Sequence, residues 1–343
     1  MERQAFLDKK NRKRIERIVQ EARKRSRRRL WRKYHPDDQQ KKRLISEEIV
    51  LPQDLDIMDD DKAFELNFAL QKAMENSTIQ LDFRNVQRIT LQAGLSLKAF
   101  SDAYILRYHM KPLFRSPRLE KIKAVFCYLE IREYHLNCHT HYKDLDCWHI
   151  TSFDKSKDED IPKLLSEEII PKCLAERNEQ ENARIATAIS ETLFNCREHA
   201  YNEDSPFQKW YLGYGRYPHS DMYHFCVCDK GMGFRGSIQL RFKEKFLLDD
   251  SNIIKEAANG RTGVREGAEQ GRGLGLKVAI QNLRNVGGMM LILSGKGLYM
   301  AGLSETGGSL ETAYPQRRTS LEGSLIDFSI PTSYITRGNQ DGE

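Results

Sequence analysis

Three polar side chains are spaced so that they can act together: Glu191, Asn195 and His199 are each four residues from the next. Residues four apart in an α-helix share one face. Behind them, the apolar residues of 185–193 recur at helical spacing. A carboxylate, an amide and an imidazole over two turns, backed by a core, indicate a working face. We therefore predict a helix that begins near Asn182 and carries this face.

A strand that ends in Asp-x-Gly-x-Gly follows. Residues 222–228 have the composition of a buried strand, and Asp229, Gly231 and Gly233 come directly after it. Glycines let the backbone turn with positive φ and let a flat ring approach closely. An aspartate at this edge of a sheet can accept a hydrogen bond from the exocyclic amine of adenine, which selects adenine over guanine. The loop therefore predicts an adenine site.

A second glycine-rich loop opens into a predicted helix over residues 277–285. Such a loop cradles phosphate through exposed N–H groups and the helix dipole, and its basic side chains add charge-assisted contacts. The predicted phosphate-binding residues are Gly271, Arg272, Gly273, Leu274, Gly275 and Lys277. No Gly-Lys-Ser/Thr closes the loop, and no strand precedes it, so it is neither a P-loop nor a Rossmann fingerprint.

Residues 234–270, between the two glycine loops, are mixed in polarity, and we predict that residues 259–267 form a mobile lid; a disordered insertion is the alternative. Further strands are predicted over 289–293, 298–300 and 325–330, with Gly323 and Ser324 opening the last of them.

The order of these motifs resembles that of the GHKL ATPases, over about residues 160–335. The resemblance implies an α/β fold, a two-layer sandwich of the Bergerat type, that binds ATP and Mg²⁺. By the same resemblance, Glu191 activates a water or hydroxyl nucleophile and Asn195 holds Mg²⁺ against the phosphates. Asp229 reads adenine, and the Ser324 hydroxyl stands where the family often has a threonine near the adenine.

The helix motif Glu191-x3-Asn195-x3-His199-x-Tyr201 is most similar to that of the anti-sigma-factor serine kinases. His199 is accordingly a candidate nucleotide-binding residue, with a structural hydrogen bond as the alternative. A sensor histidine kinase is not expected, because there is no apolar membrane span and no helix-bundle histidine motif. A gyrase or MutL protein is not expected either, because no transducer domain fits after residue 335.

The N-terminal half resembles a STAS domain, the anti-sigma-factor-antagonist fold, over roughly residues 50–150. A predicted strand at 78–83 is followed by a turn, then by the small-Gly-Leu stretch Ala93-Gly94-Leu95, and then by an apolar helix through Tyr104 and Leu106. Leu91-Gln92-Ala93 stands where that family has its phosphorylated serine, so no acceptor is expected there. A generic small α/β domain is the alternative.

The charge of the chain is concentrated at one end. Residues 1–43 carry 18 Lys and Arg against 6 Asp and Glu, about +12, so the other 300 residues sum to about −6. We expect a basic helical arm whose 9–43 stretch binds nucleic acid, a protein surface or anionic lipid. The 7 cysteines form no secreted-type framework, and without an apolar signal core we expect a cytoplasmic protein.

A charged break at 154–162 suggests the domain division: 1–43 basic arm, 44–153 smaller STAS-like α/β domain, 154–335 ATP-binding domain and 336–343 tail. Histidines and cysteines gather between Cys138 and His149, but their spacing fits no common zinc module.

Three functions remain open at this stage. The first is Mg²⁺-dependent ATP hydrolysis, with lid closure regulating a dimer or a partner protein. The second is an anti-sigma-type protein serine/threonine kinase. The third is a non-catalytic scaffold that ATP switches and that binds protein or nucleic acid through the basic arm.

Overall fold

Helices and strands alternate along the chain. The computed structural model describes residues 45–132, 149–155, 160–217, 220–241, 248–260, 274–303 and 308–332. The strands are β1 Glu47–Val50, β2 Asp54–Leu55, β3 Ile79–Asp82, β4 Arg88–Ile89, β5 Leu113–Arg115, β6 His149–Asp154, β7 Lys209–Arg216, β8 Met222–Asp229, β9 Met289–Gly295, β10 Gly297–Leu303, β11 Ser309–Ala313 and β12 Leu321–Pro331. The helices are α1 Asp60–Glu75, α2 Leu91–Tyr108, α3 Glu120–Tyr128, α4 Ile161–Lys163, α5 Ile170–Cys173, α6 Glu179–Asn195, α7 Gly233–Arg241, α8 Asp250–Ala258 and α9 Gly275–Asn285. Two π-helical stretches, Leu164–Ile169 and Cys196–Ala200, follow α4 and α6. The predicted α/β class is confirmed.

The central element is a seven-stranded sheet in the order β11-β10-β9-β12-β8-β7-β6. Every neighbouring pair is antiparallel. The strands predicted at 222–228, 289–293, 298–300 and 325–330 all lie in it. At the end of β8, Asp229 pairs with Trp210 of β7 and Ser324 of β12. Asp229, the residue predicted to bind adenine, thus lies at the end of an interior strand of the sheet.

Helices α6, α8 and α9 cover one face of this sheet. Their apolar residues form one core with alternate residues of the strands, among them Trp210, Phe225, Ile292 and Phe328. Helix α6 begins at Glu179, a turn earlier than predicted, because Asn178 caps it by accepting a hydrogen bond from Glu181 N. The buried stripe of α6 is then aligned with the sheet, which turns its polar face away from the core.

Residues of the N-terminal half cover the other face, chiefly through α2. Gly213 of β7 makes room for this helix, since a Cβ there would lie 2.9 Å from Leu91 Cδ1 and 3.0 Å from Leu95 Cδ1. A polar pair adds to the apolar contact: Tyr211 Oη donates to Asp102 Oδ2 at 2.8 Å. Because both faces are covered, Phe225 to Asp229 of β8 are buried without alternation.

Smaller parallel sheets complete the N-terminal half. Strands β1, β3 and β5 form one sheet, and β2 pairs with β4 in another. The predicted strand at 78–83 corresponds to β3, and the predicted helix through Tyr104 and Leu106 corresponds to α2, which begins earlier, at Leu91. Leu91, Gln92 and Ala93 are buried at the start of α2, where Tyr217 Oη accepts from Leu91 N at 2.9 Å.

Part of the stretch 234–270 is helical. Helix α7 and helix α8 occupy much of it, and Ile253 and Ile254 of α8 are buried in the core. The lid predicted over 259–267 stays a prediction. Residues 261–273 lie outside the described residues.

Strands β6 and β7 were not predicted. Strand β6 pairs with β7 at the edge of the seven-stranded sheet and crosses the predicted boundary at residue 153. From Ser46 onward the chain forms one compact unit, so the division between 44–153 and 154–335 stays a prediction.

The basic arm lies outside the described residues. Within the part that is described, no helix is both long and apolar enough to span a bilayer.

Candidate functional site

Helix α6 carries the first two residues of the predicted working face. Glu191 and Asn195 lie one α-helical turn apart and are half-buried, while Ile189 and Leu193 on the opposite side are buried. This is the arrangement expected from the sequence: the core fixes the helix and leaves a carboxylate and an amide at its surface.

His199 lies in the stretch after Asn195, where the helix changes to π-type hydrogen bonding over Cys196–Ala200. Its role as a nucleotide-binding residue stays a prediction. His199 Nε2 lies 3.7 Å from Glu198 Oε2, and its backbone carbonyl accepts from Ser237 Oγ at 2.9 Å. The structure thus links His199 to helix α7 through its backbone.

Gly275, the first residue of α9, lies directly against the polar face of α6. A Cβ at this position would lie 2.6 Å from Glu191 Oε2 and 3.5 Å from Asn195 Nδ2. No side chain of the described residues caps this end of α9. The N–H groups of its first turn and the positive end of its dipole are therefore next to Glu191 and Asn195, in a place that suits an anion.

The Asp229 loop packs on the end of the same helical segment. A Cβ at Gly231 would lie 2.0 Å from the carbonyl oxygen of Ala200, and Met232 N donates to that oxygen at 2.7 Å. Only glycine allows this approach. The loop and the working helix are consequently held together by backbone contacts.

Asp229 is buried, at 3% exposure. Its Oδ1 accepts from Gly231 N at 2.8 Å, and the Cys196 thiol lies 3.7 Å from its Oδ2. Burial raises the pKa of Asp229 to about 6, although hydrogen bonds from Gly231, Cys196 and Ser324 oppose the rise. The carboxylate is thus a strong acceptor in a low-dielectric setting near neutral pH.

Ser324 joins this group through a residue that the sequence analysis missed. Ser324 Oγ donates to Ser294 Oγ at 3.4 Å, Ser294 Oγ donates to the Gly323 carbonyl at 2.8 Å, and Phe234 N donates to Ser294 Oγ at 3.0 Å. Ser294 therefore ties β12 to the start of α7. The sequence feature that could have indicated Ser294 is a single hydroxyl residue directly after the apolar run 289–293.

Tyr201, noted in the sequence only as part of a motif, is hydrogen-bonded to the backbone of the Asp229 loop. Its hydroxyl accepts from Lys230 N at 3.1 Å and donates to the Lys209 carbonyl. Burial raises the pKa of Tyr201 well above its usual range, so the hydroxyl stays protonated and able to donate. The residue is a structural partner of the loop.

The remaining predicted phosphate-binding residues divide into two groups. Leu274 and Lys277 are exposed at the start of α9. The other three, Gly271, Arg272 and Gly273, lie outside the described residues. So do Cys138, His139, His141 and Cys147, whereas His149 stacks on Tyr214 at 5.2 Å.

Glu191 and Asn195 have the chemistry of a partial Mg²⁺ site. Both offer oxygen atoms, the donors that Mg²⁺ prefers, and the glycine at 275 keeps the space beside them clear. Across the described ranges, no group of three or more His, Cys, Asp or Glu residues could hold a metal ion. A Mg²⁺ ion here would take its other ligands from phosphate and water, as this ion usually does. The residues present fit that arrangement.

Comparisons with known proteins give little beyond this geometry. No protein-family model and no curated protein matches the chain. Among solved structures, the B-subunit of the DNA gyrase from Myxococcus xanthus is similar at 10% sequence identity and a TM-score of 0.22. That match covers 50% of this chain and 43% of the gyrase chain, so less than half of the gyrase subunit is matched.

Proposed function

We propose that this chain binds ATP together with Mg²⁺ and hydrolyses it. The observation that supports this most is the contact of Gly275 with Glu191 and Asn195. It brings a carboxylate and an amide to the N-terminus of a helix, although Gly275 is far in sequence from Glu191 and Asn195. A base, a cation ligand and an anion site in one place are the parts that transfer of a phosphoryl group to water needs.

The α9 N-terminus binds the phosphates in this proposal. Its first-turn N–H groups donate to phosphate oxygens, and its dipole favours their negative charge. Glu191 accepts the proton of the attacking water. Asn195 offers its side-chain oxygen to Mg²⁺, which when bound neutralises phosphate charge.

Asp229 holds the other end of the nucleotide. As an ionised acceptor, it takes a hydrogen bond from the exocyclic amine of adenine, whereas guanine presents a carbonyl there and is disfavoured. Gly231 and Gly233 let the loop beside Asp229 pack closely on Ala200 and Ser294. Ser324, adjacent to Asp229 across the β8–β12 pair, adds a hydroxyl at the same end.

The kinase alternative receives no support from the N-terminal half. Leu91, Gln92 and Ala93, at the acceptor position of the STAS resemblance, are buried against the central sheet. They contain no hydroxyl and are covered. The STAS-like fold, the lid closure, and the dimer, protein and nucleic-acid partners stay predictions, as does the cytoplasmic location.

The test compares ATP binding and phosphate release by the wild type and by Glu191→Gln. Because the amide cannot accept a proton, we expect ATP to bind while release falls by a factor of about 10² or more. Glu198→Gln is the matched control, since Glu198 is a neighbouring but exposed carboxylate; its release should equal that of the wild type. Equal release by wild type and Glu191→Gln would remove hydrolysis at this site.

A further inference from the structure

Asp60, the first residue of α1, binds the segment that leads into β12. Its Oδ2 accepts from Arg318 N at 2.8 Å, and its Oδ1 accepts from Thr319 N at 3.2 Å and from Arg317 Nε at 3.3 Å. Its backbone carbonyl also accepts from Thr319 Oγ1 at 3.1 Å. One residue of the N-terminal half therefore fixes three consecutive residues of the ATP-binding half.

The charges of Asp60 and Arg317 and the burial of Arg317 strengthen this contact. Arg317 is nearly buried, at 8% side-chain exposure, and its Nη2 donates to the Ile57 carbonyl at 2.7 Å. Burial alone would raise the pKa of Asp60, but hydrogen bonds from Arg318 and Thr319 and the charge of Arg317 outweigh it and lower that pKa. Asp60 is thus ionised at neutral pH, and its hydrogen bonds are charge-assisted.

The segment held by Asp60 runs into an irregularity of β12. Leu321 pairs with Gly295 and Ser324 pairs with Ser294, so the register shifts between them. Gly323 has φ +81°, and a Cβ there would lie 2.2 Å from the carbonyl oxygen of Asp229. The irregular stretch of β12 therefore rests directly on the backbone of Asp229.

Where a strand is irregular, its ladder hydrogen bonds are locally disrupted, so its position depends on the contacts before and after the irregular residues. On one side of the irregular stretch, β12 is paired with both β8 and β9 from Ser324 onward. On the other side, Leu321 pairs with Gly295 and Arg317 N donates to the Lys296 carbonyl at 2.9 Å, and Asp60 adds its hydrogen bonds to Arg317–Thr319. Loss of the Asp60 contacts would loosen this side and shift the approach to Gly323, whose carbonyl still accepts from Ser294 Oγ.

We propose that Asp60 is a positioning residue for the adenine end of the nucleotide site. It contacts no nucleotide and acts through Arg317–Thr319 and Gly323. The proposal rests on the proposed function, because it assigns to Asp229 the reading of adenine. It also makes the N-terminal half part of the machinery that selects the base.

The test is Asp60→Asn, with Asp61→Asn as matched control. Asp61 is the next residue of α1, is exposed, and lies 3.7 Å from Arg318 Nη1. We measure the dissociation constants of ATP and of GTP by calorimetry, and the Tm of each protein. For Asp60→Asn the dissociation constant of ATP should rise about tenfold, or about 1.4 kcal/mol, while that of GTP changes less. Asp61→Asn should match the wild type in both.

The ratio of the two constants separates positioning from a purely structural role, which would lower Tm and leave the ratio unchanged. If the wild type binds no ATP, the proposed function fails and the role of Asp60 fails with it. If the wild type binds ATP and Asp60→Asn keeps the same ratio, only the positioning role is wrong. Should Asp60→Asn fold poorly, Thr319→Val removes just the Oγ1 hydrogen bond and must lower the preference for ATP in the same direction; an unchanged preference overturns the proposal.

Discussion

Two glycines at the site differ in what their missing side chains would meet. At Gly231 the nearest atom is a backbone carbonyl of Ala200, which cannot move without moving the helix. At Gly275 it is Oε2 of Glu191, the end of a flexible side chain. The first contact therefore concerns folding, whereas the second concerns only where the carboxylate lies.

Gly275→Ala tests this distinction. The added Cβ would push Glu191 aside, while alanine at the start of a helix costs no stability. We expect an unchanged Tm and a fall in phosphate release of about 10- to 100-fold, because a small displacement of a catalytic group is costly. Val278→Ala, an exposed position on the same helix, is the control. Unchanged release by Gly275→Ala would show that the position of Glu191 does not matter.

The buried carboxylate of Asp229 predicts a pH dependence of binding. Its pKa of about 6 means that the acceptor becomes protonated as pH falls through that value. We expect ATP affinity to fall in the wild type below about pH 6 and to show no such step in Asp229→Asn. Calorimetry over this range on both proteins checks it, since the titration of ATP itself is common to both. Superimposable profiles would contradict a role for the Asp229 charge.

The same shift has a consequence for stability, with the sign fixed by linkage. The folded pKa of about 6 lies above the ordinary value of 3.8, so the folded state binds the extra proton between them. The contribution of this group is therefore most favourable below 3.8, falls as pH rises toward 6, and is constant above that. Asp60 has a lowered pKa and acts in the opposite sense: its contribution is present above its unfolded pKa and lost as pH falls through its folded pKa.

At the scale of elements, α2 joins the N-terminal half to the central sheet. Its residues Leu91 and Leu95 fill the space above Gly213 of β7, and Lys98, which is nearly buried, lies 3.3 Å from Asp102 Oδ1. A buried lysine needs such a partner. The contact is accordingly both apolar and charge-paired, as in a core.

Leu95→Ala measures how firmly α2 is held. Removing a fully buried leucine side chain should lower the free energy of unfolding by about 3 kcal/mol. Leu106→Ala, on the same helix but 42% exposed, should change it little. Urea unfolding of both variants checks this. Similar values for the two would mean that the α2–sheet contact contributes little to stability.

At the scale of the whole molecule, one sheet serves both halves of the chain. Helices α6 and α9, on one face of the sheet, carry Glu191, Asn195 and Gly275. Helix α2 packs on the other face. Strands β8 and β12 lie side by side in this sheet, and Asp229 is the last residue of β8. This geometry is why a residue as distant in sequence as Asp60 can bear on the base site.

Much of this could be predicted from local pattern. The periodicity of 185–193 gave helix α6, and Asp-x-Gly-x-Gly after an apolar run marked the end of β8. Helix α8 and strands β6 and β7 were missed, because a stretch of mixed polarity takes its structure from the core it packs against. The π-helical stretch Cys196–Ala200 was also missed, since nothing in local spacing announces a change from α- to π-type hydrogen bonding.

The sequence by itself determined which residues could do chemistry and the elements that carry most of them, since turn residues and hydrophobic periodicity are local properties. Only the tertiary structure decided that Gly275 lies against Glu191, that Gly231 rests on Ala200, and that Asp60 anchors the approach to β12. These contacts depend on how closely backbones separated by tens of residues approach one another. That closeness is set by packing over the whole sheet, and no spacing within a single segment encodes it.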